Sequence, residues 1–469
     1  MNGPHTHRPA RVLVMLVALL TLLATACTAG TDSGAAGGDE ATGSPGTGGA
    51  ADEGDGGDAG TVTLWYLQDH EVMVNSAIER FNEEFPDVTV EAQGVENDPY
   101  KTRLQTAMGT DAQPDVFHSW GGGWLQQFVD AGLVASLDDY LEANAEWSGQ
   151  LSQPALDVST FEGSVYAVPA ILGGVYMWYR TDVFEEHGIE PPQTYDELLQ
   201  VVETLNDAGV TPITLANASS WTGSFYYMYL VQRLAGEDAF LDAYNREDGA
   251  SFASEPFVEA GERIQELVEA DAFIDGFNGL NYDTGESNAP LWSGDAAMQL
   301  MGDWLLNAAR TDVPDIADSI DFFPFPAIDP PDGTGDATSM VGGVNGAFSV
   351  SADAGNPEAA MALARYLSDA ESAQAVVDEA LGTPAIEEGV QIDDPYMQRF
   401  VEALSTTDYL QPYYDQYLPP EMAEVHLETT QAIFGQSMTP QEAAEQVEAT
   451  AAEVLTGGGA AASEPAASE

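Results

Sequence analysis

TVTLWYLQDHEVMVNSAIERFNEEFPDVTV, residues 61–90, decides the fold. Its first eight residues alternate and are rich in β-branched and aromatic side chains, the pattern of a half-buried strand. Met73, Ala77, Ile78, Phe81 and Phe85 then share one face at helical spacing, and Pro86 stops that helix. VTVEAQGV (Val88 to Val95) reads as a second strand, Tyr100 to Met108 as a helix ending at Gly109, and DVFHSW (Asp115 to Trp120) as a third strand. Strand, helix, strand, helix, strand is the start of an open α/β sheet.

The same alternation continues downstream. GGVYMWYR (Gly173 to Arg180), AAMQLMG (Ala296 to Gly302), IDFFPFP (Ile320 to Pro326) and GAFSVS (Gly346 to Ser351) read as strands. Helices are expected from Thr194, capped with Glu197, to near Gly209, and over Trp221 to Leu234 and Pro256 to Ala270. Asn356-Pro357 starts another, Ser368 with Glu371 caps the next, and the last two run near Pro419 to Phe434 and from Thr439 to Val454. The stretch from Thr61 to Leu455 exceeds the ~250–300 residues at which a single core stops growing, so two lobes are expected.

The 469 residues carry 78 acidic and 12 basic side chains, a formal net charge of −66. Such a surface repels a phosphate backbone and excludes nucleic acid as a partner. It reads as a solvated coat that maintains solubility. Lys101 is the sole lysine.

Arg8 and Arg11 precede an apolar run from Val12 to Leu20 that continues to Ala24, followed by Thr25-Ala26-Cys27. Basic, apolar, small is the order of a secretory signal, and the run is too short to span a bilayer. Cys27 is the only cysteine, so no intramolecular disulfide is possible. The run Leu23-Ala24-Thr25-Ala26-Cys27 resembles the lipobox of bacterial lipoproteins, which implies a lipid anchor at Cys27 on the outer face of the cell membrane. Residues 28–60 are nearly all Gly, Ala, Ser, Thr and acids, and read as a tether; 457–469 read as a frayed tail.

Enzyme signatures are missing. There is no P-loop, no G-x-S-x-G and no H-E-x-x-H, and His70, His118, His187 and His426 show no metal-ligand spacing, so neither cofactor nor metal is expected. The loop Asp329, Asp332, Asp336 reads as a solvated acidic loop rather than a calcium site. A glycosidase needs only two placed carboxylates, which keeps a secreted carbohydrate-active enzyme open as an alternative. Eight tryptophans are the positive signal, because an aromatic plane packs on the C–H face of a sugar ring. Trp120-Gly121-Gly122-Gly123, Gly302-Asp303-Trp304 and Ser220-Trp221-Thr222-Gly223 sit where strands end, the usual place for ligands in α/β sheets.

Five collinear blocks then carry a resemblance: Pro114 to Asp139, Gly163 to Leu199, Leu291 to Leu305, Val341 to Leu367, and the closing LPPE with GQSMTPQEAAEQV. Their order is similar to that of the extracellular solute-binding proteins of carbohydrate ABC importers, the maltose-binding-like family. The resemblance implies a two-lobed periplasmic-binding-protein fold of type II with the ligand cleft between lobes. Expected lobes are 61–169 with 346–383, and 172–342 with 386–456, crossing near Val168 to Leu172, Gly342 to Gly346 and Leu381 to Ile386. It implies a non-catalytic monomer that closes on a mono- or oligosaccharide and delivers it to membrane permease subunits served by a separate ATPase. A binder of a polyol or glycerol phosphate is the nearest alternative. By matching position, Trp304 is the expected stacking residue and Asp303 its hydroxyl acceptor. Trp120 and His118 fall on the rim, Trp221 on the second lobe, Gly343 where backbone approaches ligand, and Gln68 and Asp69 on the loop after the first strand. Gly173 and Met422 stand where maltose binders place an acid and an aromatic. Strict maltose specificity therefore does not carry over, an oligosaccharide of another linkage is at least an equal candidate, and Tyr413 and Tyr414, the latter taken as a ligand contact, stand near enough in the chain to compensate for the aromatic.

Overall fold

The computed structural model describes residues 60–457. The signal with Cys27, the tether before residue 60 and the tail beyond 457 lie outside the described residues.

Thr61–Leu67 is strand β1, Thr89–Val95 is β2 and Val116–Ser119 is β3, linked by helices α1 (Glu71–Glu84) and α2 (Asn97–Ala107). β1 runs parallel to both neighbours, with Thr61 opposite Thr89 and Leu64 opposite Val116. Successive side chains point to opposite faces, so Leu64 and Val116 enter one core while Leu67 and Phe117 enter another around Trp120, Trp124 and Phe128. α1 buries Met73, Val74, Ala77 and Phe81. Ile78, expected on that face, is only half-buried because Val74 takes the inward position. Phe85 ends the helix with its ring stacked on Phe81, centroids 4.8 Å apart.

The sheet is completed by β4 (Val168–Arg180), β5 (Thr211–Ile213), β6 (Ala296–Gly302), β7 (Ile320–Phe323), β8 (Met340–Val350), β9 (Thr383–Pro384) and β10 (Leu410–Gln411). The strand order is β2-β1-β3-β8-β4-β6-β5, with β7 and β9 also paired to β4 and β10 to β8. β4 is a near-continuous apolar run, VPAILGGVYMWYR, as a strand covered on both faces should be. Its length has a reason. Val168, Ala170 and Ile171 belong to the core of β1 and α1, whereas Val175 to Trp178 belong to the large core of residues 175–341 and 377–455.

β8 makes the return journey: Val341 lies in the large core, Phe348 and Val350 in the first. Two lobes therefore share one sheet, joined by the middles of two antiparallel strands. At the crossing, Gly173 faces Gly343 and Gly174 faces Gly342, and the register slips between Val344 and Ala347. A Cβ on Gly342 would collide with the Gly173 carbonyl, so only glycine lets these backbones approach as they do.

Local signals mostly decide the helix ends. Thr194 and Glu197 form the expected capping box, and Asn356 accepts from Ala359 N–H. The cap expected at Ser368 is instead Asp369, whose carboxylate accepts from Ser372 N–H at 2.9 Å. Ser368 is still in the preceding turn, where its hydroxyl donates to the Ala364 carbonyl at 2.9 Å. Among the described residues, no helix is long and apolar enough to cross a membrane.

Candidate functional site

The carboxyl ends of β1 and β3, the crossing strands and the second lobe converge on one cavity of about 90 Å³. From the first lobe come Asp69 and His70 on the turn after β1, Asn97 and Lys101 on α2, and Trp120 after β3. The second lobe supplies Trp221 and Phe225 from helix α3 (Trp221–Ala235), together with Tyr282, Trp304, Tyr413 and Asp415. Asn345 on β8 lies on the floor. Six aromatic rings and a few polar groups are a composition suited to a ligand with C–H faces and hydroxyl edges.

Trp304 owes its pose to Gly302. A Cβ there would run into the Trp304 ring, so the absent side chain is what lets the indole lie against the end of β6. Its Nε1 donates to the Tyr282 hydroxyl at 3.1 Å, and its ring lies 6.4 Å from those of both Trp221 and Phe225. Asp303, the preceding residue, is fully buried behind this wall. Its carboxylate accepts from Gly174 N–H at 3.3 Å and from Asn345 Nδ2 at 3.5 Å. Burial pushes its carboxyl well above the usual range, against backbone hydrogen bonds that pull the other way. Asn345 in turn accepts from the Tyr413 hydroxyl at 3.0 Å.

On the opposite wall Trp120 stands edge-on to His118, Tyr100 and Trp124. The glycine run after it serves the approach between lobes. Gly121 and Gly122 have positive φ, and a Cβ on Gly122 would strike the backbone of Gln416 and Tyr417. Lys101 extends its ammonium to Asp415 Oδ2 at 3.0 Å and sits 5.1 Å from the Trp120 ring.

The two lobes are bonded to each other at Asp98. Its carboxylate accepts from Ser219 Oγ at 2.7 Å and Trp221 Nε1 at 3.1 Å, and its N–H donates to Asp283 Oδ2 at 3.0 Å. Asp98 starts α2 of the first lobe; its three partners belong to the second. Asp283 is pushed up to about 6, first by burial and then by the charge of Asp98, with Glu96 and Asp69 adding to it.

Of the residues expected at the site, Asp69, Trp120, Trp221 and Trp304 line this cavity. Asp303 sits behind it, and Gly343 lines a small annex of about 30 Å³ shared with Trp120 and Tyr413. His118 is fully buried beneath Trp120, with ring centroids 4.6 Å apart, and burial pushes it well below the usual histidine range. Gln68 is exposed and donates to Glu71 Oε2, away from the cavity. Tyr414 faces the second core, stacked on Phe240 at 4.0 Å, and its neighbour Tyr413 is the aromatic on the wall. Sequence reasoning missed His70, Asn97, Lys101, Phe225, Tyr282, Asn345 and Asp415. A unique lysine beside the helix start Asn97-Asp98-Pro99 was the available signal.

In the acidic loop, Asp336 accepts from Thr338 N–H and Gln232 Nε2, and Arg233 lies 3.9 Å away. Among the described residues, no three acidic, histidine or cysteine side chains are placed to hold a metal ion.

The model of the family described as bacterial extracellular solute-binding protein matches residues 65–374. An uncharacterized ABC transporter extracellular-binding protein of Pyrococcus horikoshii is 24% identical over 251 residues, 51% of this chain and 54% of the relative. The chain spans about half the length of the curated relatives it matches. A solved structure described with xylan utilization by the thermophilic bacterium Caldanaerobius polysaccharolyticus is 30% identical. It superposes with a TM-score of 0.77 over 83% of this chain and 99% of its own. A chitin oligosaccharide binding protein, 22% identical with a TM-score of 0.76 over 85% of this chain and 99% of its own, shares the fold.

Proposed function

The chain belongs to the bacterial extracellular solute-binding proteins, and from that premise we propose that it is the sugar-capturing component of an ABC-type importer. The observation that carries the reading is the aromatic cavity between two lobes whose rims meet at Asp98. Trp120 and Trp304 present planes for a sugar ring, while Asn97, Asn345, Lys101 and Asp69 offer hydroxyl partners. The likeness to proteins described with xylan utilization and chitin oligosaccharide supports a mono- or oligosaccharide as the ligand.

Capture works by closure. The lobes, 61–169 with 346–383 and 172–342 with 386–456, move about the glycine-lined middles of β4 and β8, and sugar favours the state in which both walls touch it. No bond of the ligand is broken. The closed form is the one presented to the permease subunits, and the protein acts as a monomer held to the outer face of the membrane through lipid on Cys27.

The test is titration of the purified protein with neutral mono- and oligosaccharides, following tryptophan fluorescence and product release together. A saturable fluorescence change without product is expected; turnover without a saturable change sinks the reading. Cys27→Ser is expected to move the protein from the membrane to the soluble fraction with sugar affinity intact.

A further inference from the structure

The cavity wall is nearly without available positive charge. Among the described residues, Lys101 is the one lysine or arginine on it, and its ammonium is held by Asp415 Oδ2 at 3.0 Å, with the Asp415 side chain only 5% exposed. His70, the other basic group on the wall, is buried, and burial pushes it below the usual histidine range, against the pull of Asp69. Arg103 lines a separate groove, with its guanidinium stacked on the Trp65 ring at 3.9 Å and donating to Gln93 Oε1 at 2.6 Å.

Negative charge is plentiful around the same cavity. Asp69 lies on the wall, and its charge reaches Glu96 and Asp283, which with Asp98 line a separate groove along α2. A carboxylate or phosphate on the ligand would meet the field of these acids and find an ammonium already paired. Any hydrogen bond it took there would come from a pair whose charge Asp415 already cancels, so the hydration the anion gives up would go without a compensating counter-charge. A hydroxyl needs no counter-charge, only a hydrogen-bond partner, and an ammonium paired through one hydrogen has two left to donate.

We propose that the cleft accepts uncharged sugars and turns away uronic acids and sugar phosphates, and that Asp415 sets this preference by holding the charge of Lys101. Asp415 is thus a specificity-determining residue, one that acts through its neighbour. The proposal rests on the sugar-binding reading given above.

The experiment titrates the full chain with glucose, galactose and xylo- and chito-oligosaccharides, and with the uronic acid and 6-phosphate of each hexose. The wild-type protein is expected to bind the acids at least ~10-fold more weakly than their neutral parents. Asp415→Asn, which keeps the side-chain shape and frees the ammonium, is expected to narrow that gap by ~10-fold or more. Acids bound by the wild type within about threefold of their parents overturn the proposal, and that comparison needs no variant to fold. An undiminished gap in an Asp415→Asn protein that still binds neutral sugar also overturns it. Silence from every sugar, neutral and acidic alike, is a different result, and removes the sugar-binding reading together with this one.

Discussion

The indole N–H of Trp221 donates to Oδ1 of Asp98 at 3.1 Å, joining two residues whose side chains and helices belong to different lobes. Ser219 and Asp283 add bonds to the same residue, so one aspartate at the start of α2 gathers three contacts across the seam. None of these partners needs the sugar in order to form, so they contribute to the energy of closure itself.

Asp98→Ala removes two side-chain bonds to a carboxylate, each worth about 1–2 kcal/mol net. Sugar affinity is expected to fall accordingly, with little change in the melting temperature of the sugar-free protein. Titration calorimetry measures the loss, and small-angle scattering reads how far sugar still compacts the variant. Full affinity would show that the seam does not contribute to closure.

Asp283 gives closure a pH dependence. Its ordinary value of 3.8 is raised to about 6 where burial and Asp98 surround it, so the closed form holds a proton that the parted lobes release. A raised carboxyl favours the closed form at low pH, and that advantage is lost as pH rises from about 4 to about 6. Sugar affinity is therefore expected to rise as pH falls through that window and to be flat above it. Asp283→Asn is expected to flatten the profile; an unchanged slope would assign the effect to other groups.

Trp304→Ala is expected to cost about 1–3 kcal/mol of sugar binding through lost stacking and burial. Gly302→Ala is the subtler probe, because its methyl displaces the indole without removing it. The two variants should weaken binding in the same direction while the backbone circular dichroism stays constant. A Gly302→Ala protein with wild-type affinity would mean that the indole's pose is immaterial.

Lys101 is the only lysine in the chain, so amine acylation followed by peptide mass spectrometry reports on one side chain of the cavity. Saturating sugar is expected to slow its acylation several-fold. Acylated protein is expected to bind sugar weakly, since the modification removes the charge that pairs with Asp415. An acylation rate indifferent to sugar would place the ligand elsewhere.

The alternation of strand and helix was legible in the sequence because the two periods, 2.0 and 3.6, are set by local geometry. Trp120, Trp221 and Trp304 were legible because they stand beside glycines at element ends. Asp98, Lys101 and Asp415 were not, because their partners lie 123 and 314 residues away along the chain and no local pattern announces them. Tyr414 and Tyr413 differ by one position, and only the packing of Tyr414 on Phe240 decides which of them turns toward the cavity.

The shared sheet also dictates when the protein is able to finish folding. β3 at residues 116–119 gets its second neighbour only from β8, residues 340–350, which pairs His118 with Phe348. Until that strand has been synthesised, the first lobe has an open sheet edge beside β3. Loop closure over such a separation is slow, and a long-lived open edge invites wrong partners. The first lobe is thus obliged to wait for the chain to return, and a truncation before residue 340 should yield not half a receptor but an aggregation-prone fragment.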